Sequence, residues 1–145
     1  MGAIFGKRIE EARLSMCPVF QMIRLELQIQ QHPPSKKNSM KYGRGKVWKH
    51  EKIVKFEKEL SEFAIQMMAI KQYDLSSAPF QVCIEVGFPD RRRRDVHNCH
   101  AAVLDALEGV VWMDDKQVVD LRIHLNRDVW SSYTRVIINE LHDDY

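Results

Sequence analysis

From Met22 to Gln30 the chain reads MIRLELQIQ, with apolar Ile23, Leu25, Leu27 and Ile29 separated by polar or charged residues. A period of two is the mark of a strand with one buried face, since successive side chains point to opposite sides. This strand stops at Pro33 and Pro34, which cannot donate to a ladder. The following SKKNSMKYGRGKVWKH, rich in Ser, Gly and Lys, reads as a loop. Next, Ile53, Phe56, Leu60, Phe63, Ala64 and Met67 recur at steps of three and four, predicting an amphipathic helix over about 48–71. Met67 and Met68 read there as core packing.

After the turn signal DLSSAP, Phe80, Val82, Ile84 and Val86 alternate through a second strand that closes at Gly87 and Pro89. Cys99, Val103, Ala106, Leu107 and Val110 return to a helical period. They predict a second helix over about 96–108, with Asp95 placed as its N-cap and Gly109 near its end. QVVDLRIHLNR and SYTRVIINEL are two further strand-like runs. Strands interleaved with only two main helices predict a small, single-domain α+β fold on a mixed sheet, rather than a doubly wound parallel sheet. Residues 1–20 show a short helical stretch around Arg8 to Leu14 but no sustained apolar period. They read as an N-terminal extension to a domain of residues 21–145.

Composition narrows the class. A chain of 145 residues, 45% hydrophobic and 29% charged, supports one core and argues against disorder. No apolar run approaches the ~20 residues that span a bilayer, and charge is mixed into MGAIFGKRIEEARLSM where a secretory signal stays apolar. The expectation is a cytoplasmic protein. Cys17, Cys83 and Cys99 lack C-x-x-C spacing, so reduced thiols fit better than disulfides or a cysteine-rich zinc site. The net charge of +2 says little about partners, but its distribution says more. Lys36, Lys37, Lys41, Arg44, Lys46 and Lys49 stand together with no acidic residue among them, interleaved with Tyr42 and Trp48. Such a segment suits a phosphate backbone, and a solvated basic loop is the plainer alternative.

The densest chemistry lies in PDRRRRDVHNCHAAVLDALEGVVWMDDKQVVD. Arg91, Arg92, Arg93 and Arg94 can hold phosphates through bidentate guanidinium contacts while stabilising the ionised carboxylate of Asp95. Asp95 and His97 precede the second helix, and Asp114 and Asp115 precede the next strand. Brought together, such oxygen ligands suit Mg²⁺ or Mn²⁺, and a divalent ion so held supports phosphodiester hydrolysis. The plainer reading keeps Asp95 as a cap and Asp114–Asp115 as a turn. Asp105 suits pairing with a cation. The crowded H-N-C-H of His97 to His100 does not match zinc-ligand spacing. No nucleophile elbow is present, and G-R-G lacks the context of a phosphate-binding loop.

Three blocks, PPSKKNSM, PDRRRRD with its Asn-containing helix start and DAL, and WMDDKQVVD, resemble the RusA family of Holliday-junction resolvases over about residues 22–140. The resemblance implies a homodimer of small α+β subunits, of bacterial, phage or prophage origin. It would grip a four-way DNA junction and, with Mg²⁺, make paired symmetrical nicks in opposing strands during recombination and repair. It also implies metal-binding acids at Asp95, at the position of His97, and at Asp115. The cationic residues, from Lys36 through Lys46 and Arg91 through Arg94 with Lys116, would lie against DNA. His97 stands where the family usually has Asp, and Ala101 where a catalytic lysine is expected. Imidazole in place of carboxylate weakens a Mg²⁺ site and is better tolerated by Mn²⁺. Two functions therefore compete: a structure-selective endonuclease, and a junction-binding protein with weak or lost catalysis. The third reading, an ordinary globular protein with solvated charge runs, predicts no salt-sensitive affinity for DNA.

Overall fold

The computed structural model describes residues 22–34, 40–43, 46–49, 51–90 and 99–141. The elements are β1 (Arg24–Ile29), β2 (Met40–Gly43), β3 (Lys46–Lys49), α1 (Glu51–Lys71), β4 (Phe80–Gly87), α2 (His100–Leu107), β5 (Val118–Asn126) and β6 (Tyr133–Glu140). A mixed four-stranded sheet has the order β1-β6-β4-β5, with β4 and β5 parallel and the other pairs antiparallel. This is the α+β architecture read from the sequence.

Alternation decides which face of the sheet is covered. Leu25, Leu27 and Ile29 on β1, Phe80, Val82, Ile84 and Val86 on β4, and Val136 and Ile138 on β6 are all buried. Phe56, Leu60, Ala64 and Met68 of α1 and Ala102, Val103, Ala106 and Leu107 of α2 join them in one core. Because side chains alternate across a strand, the intervening Glu26, Gln81, Glu85 and Arg135 occupy the face away from the helices. Gly109, in the left-handed region at φ +81°, lets the chain turn out of α2, as its position near the predicted end requires.

Parallel β4 and β5 need a crossover, and α2 lies within it. β1, β4 and β5 thus start at one end of the sheet and finish at the other. Phe80 pairs with Val118 at the starting end, and Gly87 with Asn126 at the finishing end.

Three expectations are corrected. The basic stretch is not a continuous loop: β2 and β3 form an antiparallel pair in which Gly43 lies opposite Lys46, with two residues between them in the chain. A two-residue connection with glycine is a hairpin signal that the lysine content conceals. The first helix begins at Glu51 rather than near 48, because β3 continues to Lys49. The second begins at His100 rather than 96, and Cys99 is its N-cap residue, without a side-chain capping bond. A capping oxygen reaches amides only two or three residues ahead, and Asp95 stands four residues before Cys99. Residues 1–20 and Asp95 itself lie outside the described residues.

Candidate functional site

The acidic pair sits on a short connection whose anchor is Trp112. That side chain is completely buried, and its ring meets Phe80 with centroids 5.5 Å apart. Backbone bridges join Trp112 to Ser76 and to Glu108, while Gly109 N–H donates to Trp112 O at 2.8 Å. Immediately beyond the anchor the chain becomes exposed at Met113, Asp114, Asp115 and Lys116.

A 3-10 turn, Asp115–Gln117, carries Asp115 at the starting end of β5. Asp114 is its N-cap: its carboxylate accepts the Lys116 N–H at 2.9 Å, and its carbonyl accepts the Gln117 N–H at 3.0 Å. That amide bond, helped by the Asp115 side chain and the Lys116 charge, holds the Asp114 carboxyl below its ordinary value.

Gln117 fixes this turn from the other side. Its Oε1 accepts the N–H groups of Met113 at 2.8 Å and Asp114 at 3.0 Å. Its Nε2 donates to the carbonyls of Ser76 and Ala78, both at 2.8 Å. One carboxamide therefore ties the acidic turn to the connection that leads into β4. Ser76 extends the tie, since its Oγ donates to Glu140 Oε1 at 2.9 Å while Glu140 Oε2 accepts Ile23 N–H at 2.7 Å. Asp-x-x-Gln across Asp114–Gln117 is a capping-box pattern, a signal present in the sequence beside the acidic pair.

The opposite end of the sheet gathers the starts of the two cationic segments. β1 leads through His32 and Pro33 toward Lys36 and Lys37, and β4 leads through Phe88 toward Arg91. His32 and Phe88 are in ring contact, with centroids 4.9 Å apart, and His32 Nδ1 lies 3.3 Å from Ser132 Oγ. The connection between β5 and β6 therefore meets both.

Its feet are closely held. Asn126 O accepts Phe88 N–H at 3.0 Å, Asn126 Oδ1 accepts Asp128 N–H at 3.0 Å, and Thr134 Oγ1 donates to Gln31 O at 2.7 Å. Asn126 also donates to Tyr133 Oη at 3.1 Å, and Tyr133 donates to Glu85. The hydrogen bond from Tyr133 is the main reason the Glu85 carboxyl lies below its ordinary value, against the opposing effect of burial.

Of the sequence-predicted site residues, Asp115 and Lys116 are exposed neighbours on the acidic turn, and Lys41 and Lys46 lie on the β2–β3 pair. Asp95, His97, Lys36, Lys37, Arg44 and Arg91 to Arg94 lie outside the described residues. Among the described residues no group of three His, Cys, Asp or Glu side chains is arranged to hold an ion. What the described residues do offer is two adjacent, outward-facing carboxylates on a pinned turn, a donor set suited to a hard divalent cation. Asp95 and Asp115 flank the two sides of the same crossover connection, before and after α2. Among the described residues Cys83 and Cys99 form no disulfide. Among the described residues no helix is long and apolar enough to cross a membrane.

Residues 22–139 match the family model of the endodeoxyribonuclease RusA. Over 46 residues the chain is 50% identical to crossover junction endodeoxyribonuclease RusA of Escherichia coli strain K12, and equally so to the proteins of that name from Shigella sonnei and from Enterobacteria phage 82. Each of these similarities covers 31% of this chain and 38% of the relative.

Proposed function

The chain belongs to the RusA family of endodeoxyribonucleases, and from that premise we propose that it is a structure-selective endonuclease resolving four-way DNA junctions by metal-dependent phosphodiester hydrolysis. The observation that carries this reading is the exposed Asp114–Asp115 turn, pinned by Gln117 at the mouth of β5.

In this reading Asp95, His97 and Asp115 hold Mg²⁺ or Mn²⁺. When bound, the ion supplies an activated water and offsets charge developing on the phosphoryl oxygens. Asp115 would present its carboxylate from the turn that Gln117 pins. Lys36, Lys37, Lys41, Arg44 and Lys46 on one segment, and Arg91 to Arg94 on the other, grip the phosphates, with Lys116 beside the scissile linkage. A homodimer sets two such centres on one junction, so that opposing strands are nicked in pairs. Residues 21–145 carry this activity, residues 1–20 form an extension to it, and the protein works in the cytoplasm of a bacterial cell on chromosomal, phage or prophage DNA.

The test is cleavage of a labelled four-way junction against linear duplex, titrated with Mg²⁺ and with Mn²⁺. Paired nicks in the junction are expected. Asp115→Asn lowers nicking by roughly 100-fold or more, because several kcal/mol of transition-state charge stabilisation depend on the ion's ligands, and leaves binding in EDTA intact. Tight junction binding with no nicking at any metal concentration sinks the catalytic part.

One observation favours a second reading: His97 and Ala101 replace the carboxylate and lysine that the family resemblance leads one to expect. The chain is then a junction-binding protein with weakened catalysis. It predicts that His97→Asp combined with Ala101→Lys raises nicking in Mg²⁺, and an unchanged rate in the double variant removes it.

A further inference from the structure

Trp130 is fully exposed, although a tryptophan rarely leaves its whole surface in water. It stands in the connection between β5 and β6, at the sheet end toward which both cationic segments lead. We propose that Trp130 stacks on an unpaired or unstacked base of branched or single-stranded DNA, and so contributes to the choice of substrate. The inference deepens the function proposed above and rests on it for the identity of the DNA.

Three independent features support this placement. First, the connection is held at its feet rather than its tip. Asn126 accepts Asp128 N–H at 3.0 Å, and Ser132 lies 3.3 Å from the His32 ring, so residues 129–131 project from a fixed base. A backbone held at both feet loses little freedom on binding, which favours a contact made at its tip.

Second, the base of the connection is also the root of both basic segments. The His32–Phe88 ring contact holds the chain that enters Lys36–Lys49 beside the chain that enters Arg91–Arg94. Both cationic runs follow this end of the sheet in the chain, and aromatic rings near backbone-binding cations are a general device for holding unpaired bases.

Third, the immediate surroundings argue against a protein partner. Arg127, Asp128 and Ser131 are exposed around Trp130, and Val129 is half-buried. Of the other exposed large apolar side chains, Val54, Ile65 and Ile70 lie on α1, Leu75 follows it, Met113 lies on the acidic turn, and Val119 and Leu121 lie in the first half of β5, toward the opposite end of the sheet. A protein interface wants a contiguous apolar core, whereas a single ring among polar and charged neighbours matches the π-face of a base.

The experiment measures binding of the full chain, in EDTA, to three fluorescent DNAs: a four-way junction with 2-aminopurine at the branch point, oligothymidylate, and linear duplex. Trp130→Ala is expected to weaken junction and oligothymidylate binding by roughly 10- to 100-fold, the size of one lost base–aromatic stack. Duplex affinity and melting temperature stay unchanged, and Trp130→Phe restores most of the loss.

Equal affinity of wild type and Trp130→Ala for all three DNAs overturns the proposal. So does an equal loss on all three, which assigns the ring to the phosphate grip. A loss of self-association in sedimentation, without a change in DNA affinity per protomer, also overturns it by placing a second copy of the chain on Trp130. A wild-type protein with no preference for junction over duplex removes the function proposed above. The stacking claim is then decided on oligothymidylate alone, where the predicted loss supports it and its absence overturns it.

Discussion

The two ends of the sheet are built to opposite specifications. At the starting end, one carboxamide makes four hydrogen bonds and one buried indole anchors the chain, so the short stretch from Trp112 to Gln117 has its path fixed on both sides. At the finishing end the bonds secure the base of the β5–β6 connection, and Trp130 extends into solvent. The contrast follows the tolerances of the two tasks. Ligands for an ion must be held within about 0.5 Å of their working geometry, while a grip on a polyanion acts over a Debye length of roughly 8–10 Å. On the function proposed above, rigidity is concentrated where the ion would be held, and reach where DNA would be gripped.

Removing the anchor is the largest perturbation of this arrangement. Trp112→Ala deletes a side chain with no exposed surface and its contact with Phe80, at a cost of about 3–5 kcal/mol. In a chain of this length that lowers the melting temperature by about 10 °C. Differential scanning calorimetry checks it. A drop of only one or two degrees would mean that the acidic turn does not depend on its buried neighbour, and the contrast between the ends would collapse.

Gln117→Met is a smaller and more selective change. Methionine keeps the volume and loses all four hydrogen bonds, leaving the carbonyls of Ser76 and Ala78 without this donor. The expected result is a rise of roughly 10- to 100-fold in the metal concentration giving half-maximal nicking, as for other groups that orient ion ligands. Junction affinity in EDTA should hold. Gln117→Glu retains an acceptor for Met113 and Asp114 N–H and should recover part of the metal response. A purely structural role would lower the melting temperature without moving the metal titration.

How much of this could be read from residues alone depends on the range of the interaction. The period-two runs at Ile23–Ile29 and Phe80–Val86 and the three-and-four spacing of Ile53–Met67 determine their elements because burial of one face is a local pattern. The β2–β3 pair escaped because lysine-rich composition outweighed a Gly-Arg-Gly hairpin signal. The start of α2 was placed early because Asp95 is a good capping residue in type, although it stands too far ahead of His100. Asp115 was expected at the site from residue type and family resemblance, and the fold adds its exposed place on the turn. Gln117 was not, since its role arises from carbonyls 39 and 41 residues earlier in the chain. Trp130 was not legible either, because exposure is a property of the fold.

The smallest expected effect concerns the polar face between the two ends, and its sign can be derived from Glu85. The carboxyl of Glu85 lies below its ordinary value of 4.5, first because Tyr133 donates to it, then through Asn126 and the Arg135 charge, with burial acting in the other direction. A depressed carboxyl contributes stability that is present above the unfolded value and disappears as pH falls through the folded one. Burial first, and then the same hydrogen bond, raises Tyr133 above its ordinary value of 10.0, so its phenol contribution is present below that value and is lost as pH rises through the folded one. Between about pH 5 and pH 9 both contributions are therefore in place. Tyr133→Phe removes the principal cause at Glu85, and a carboxyl-detected NMR titration should show the Glu85 midpoint moving up toward 4.5. The stability difference between wild type and variant should be constant near neutrality and narrow below pH 4.5. A Glu85 midpoint that stays in place after the substitution would mean that Arg135 and Asn126 suffice, and that Tyr133 serves mainly to cover Gly87, where its ring occupies the space a Cβ would need.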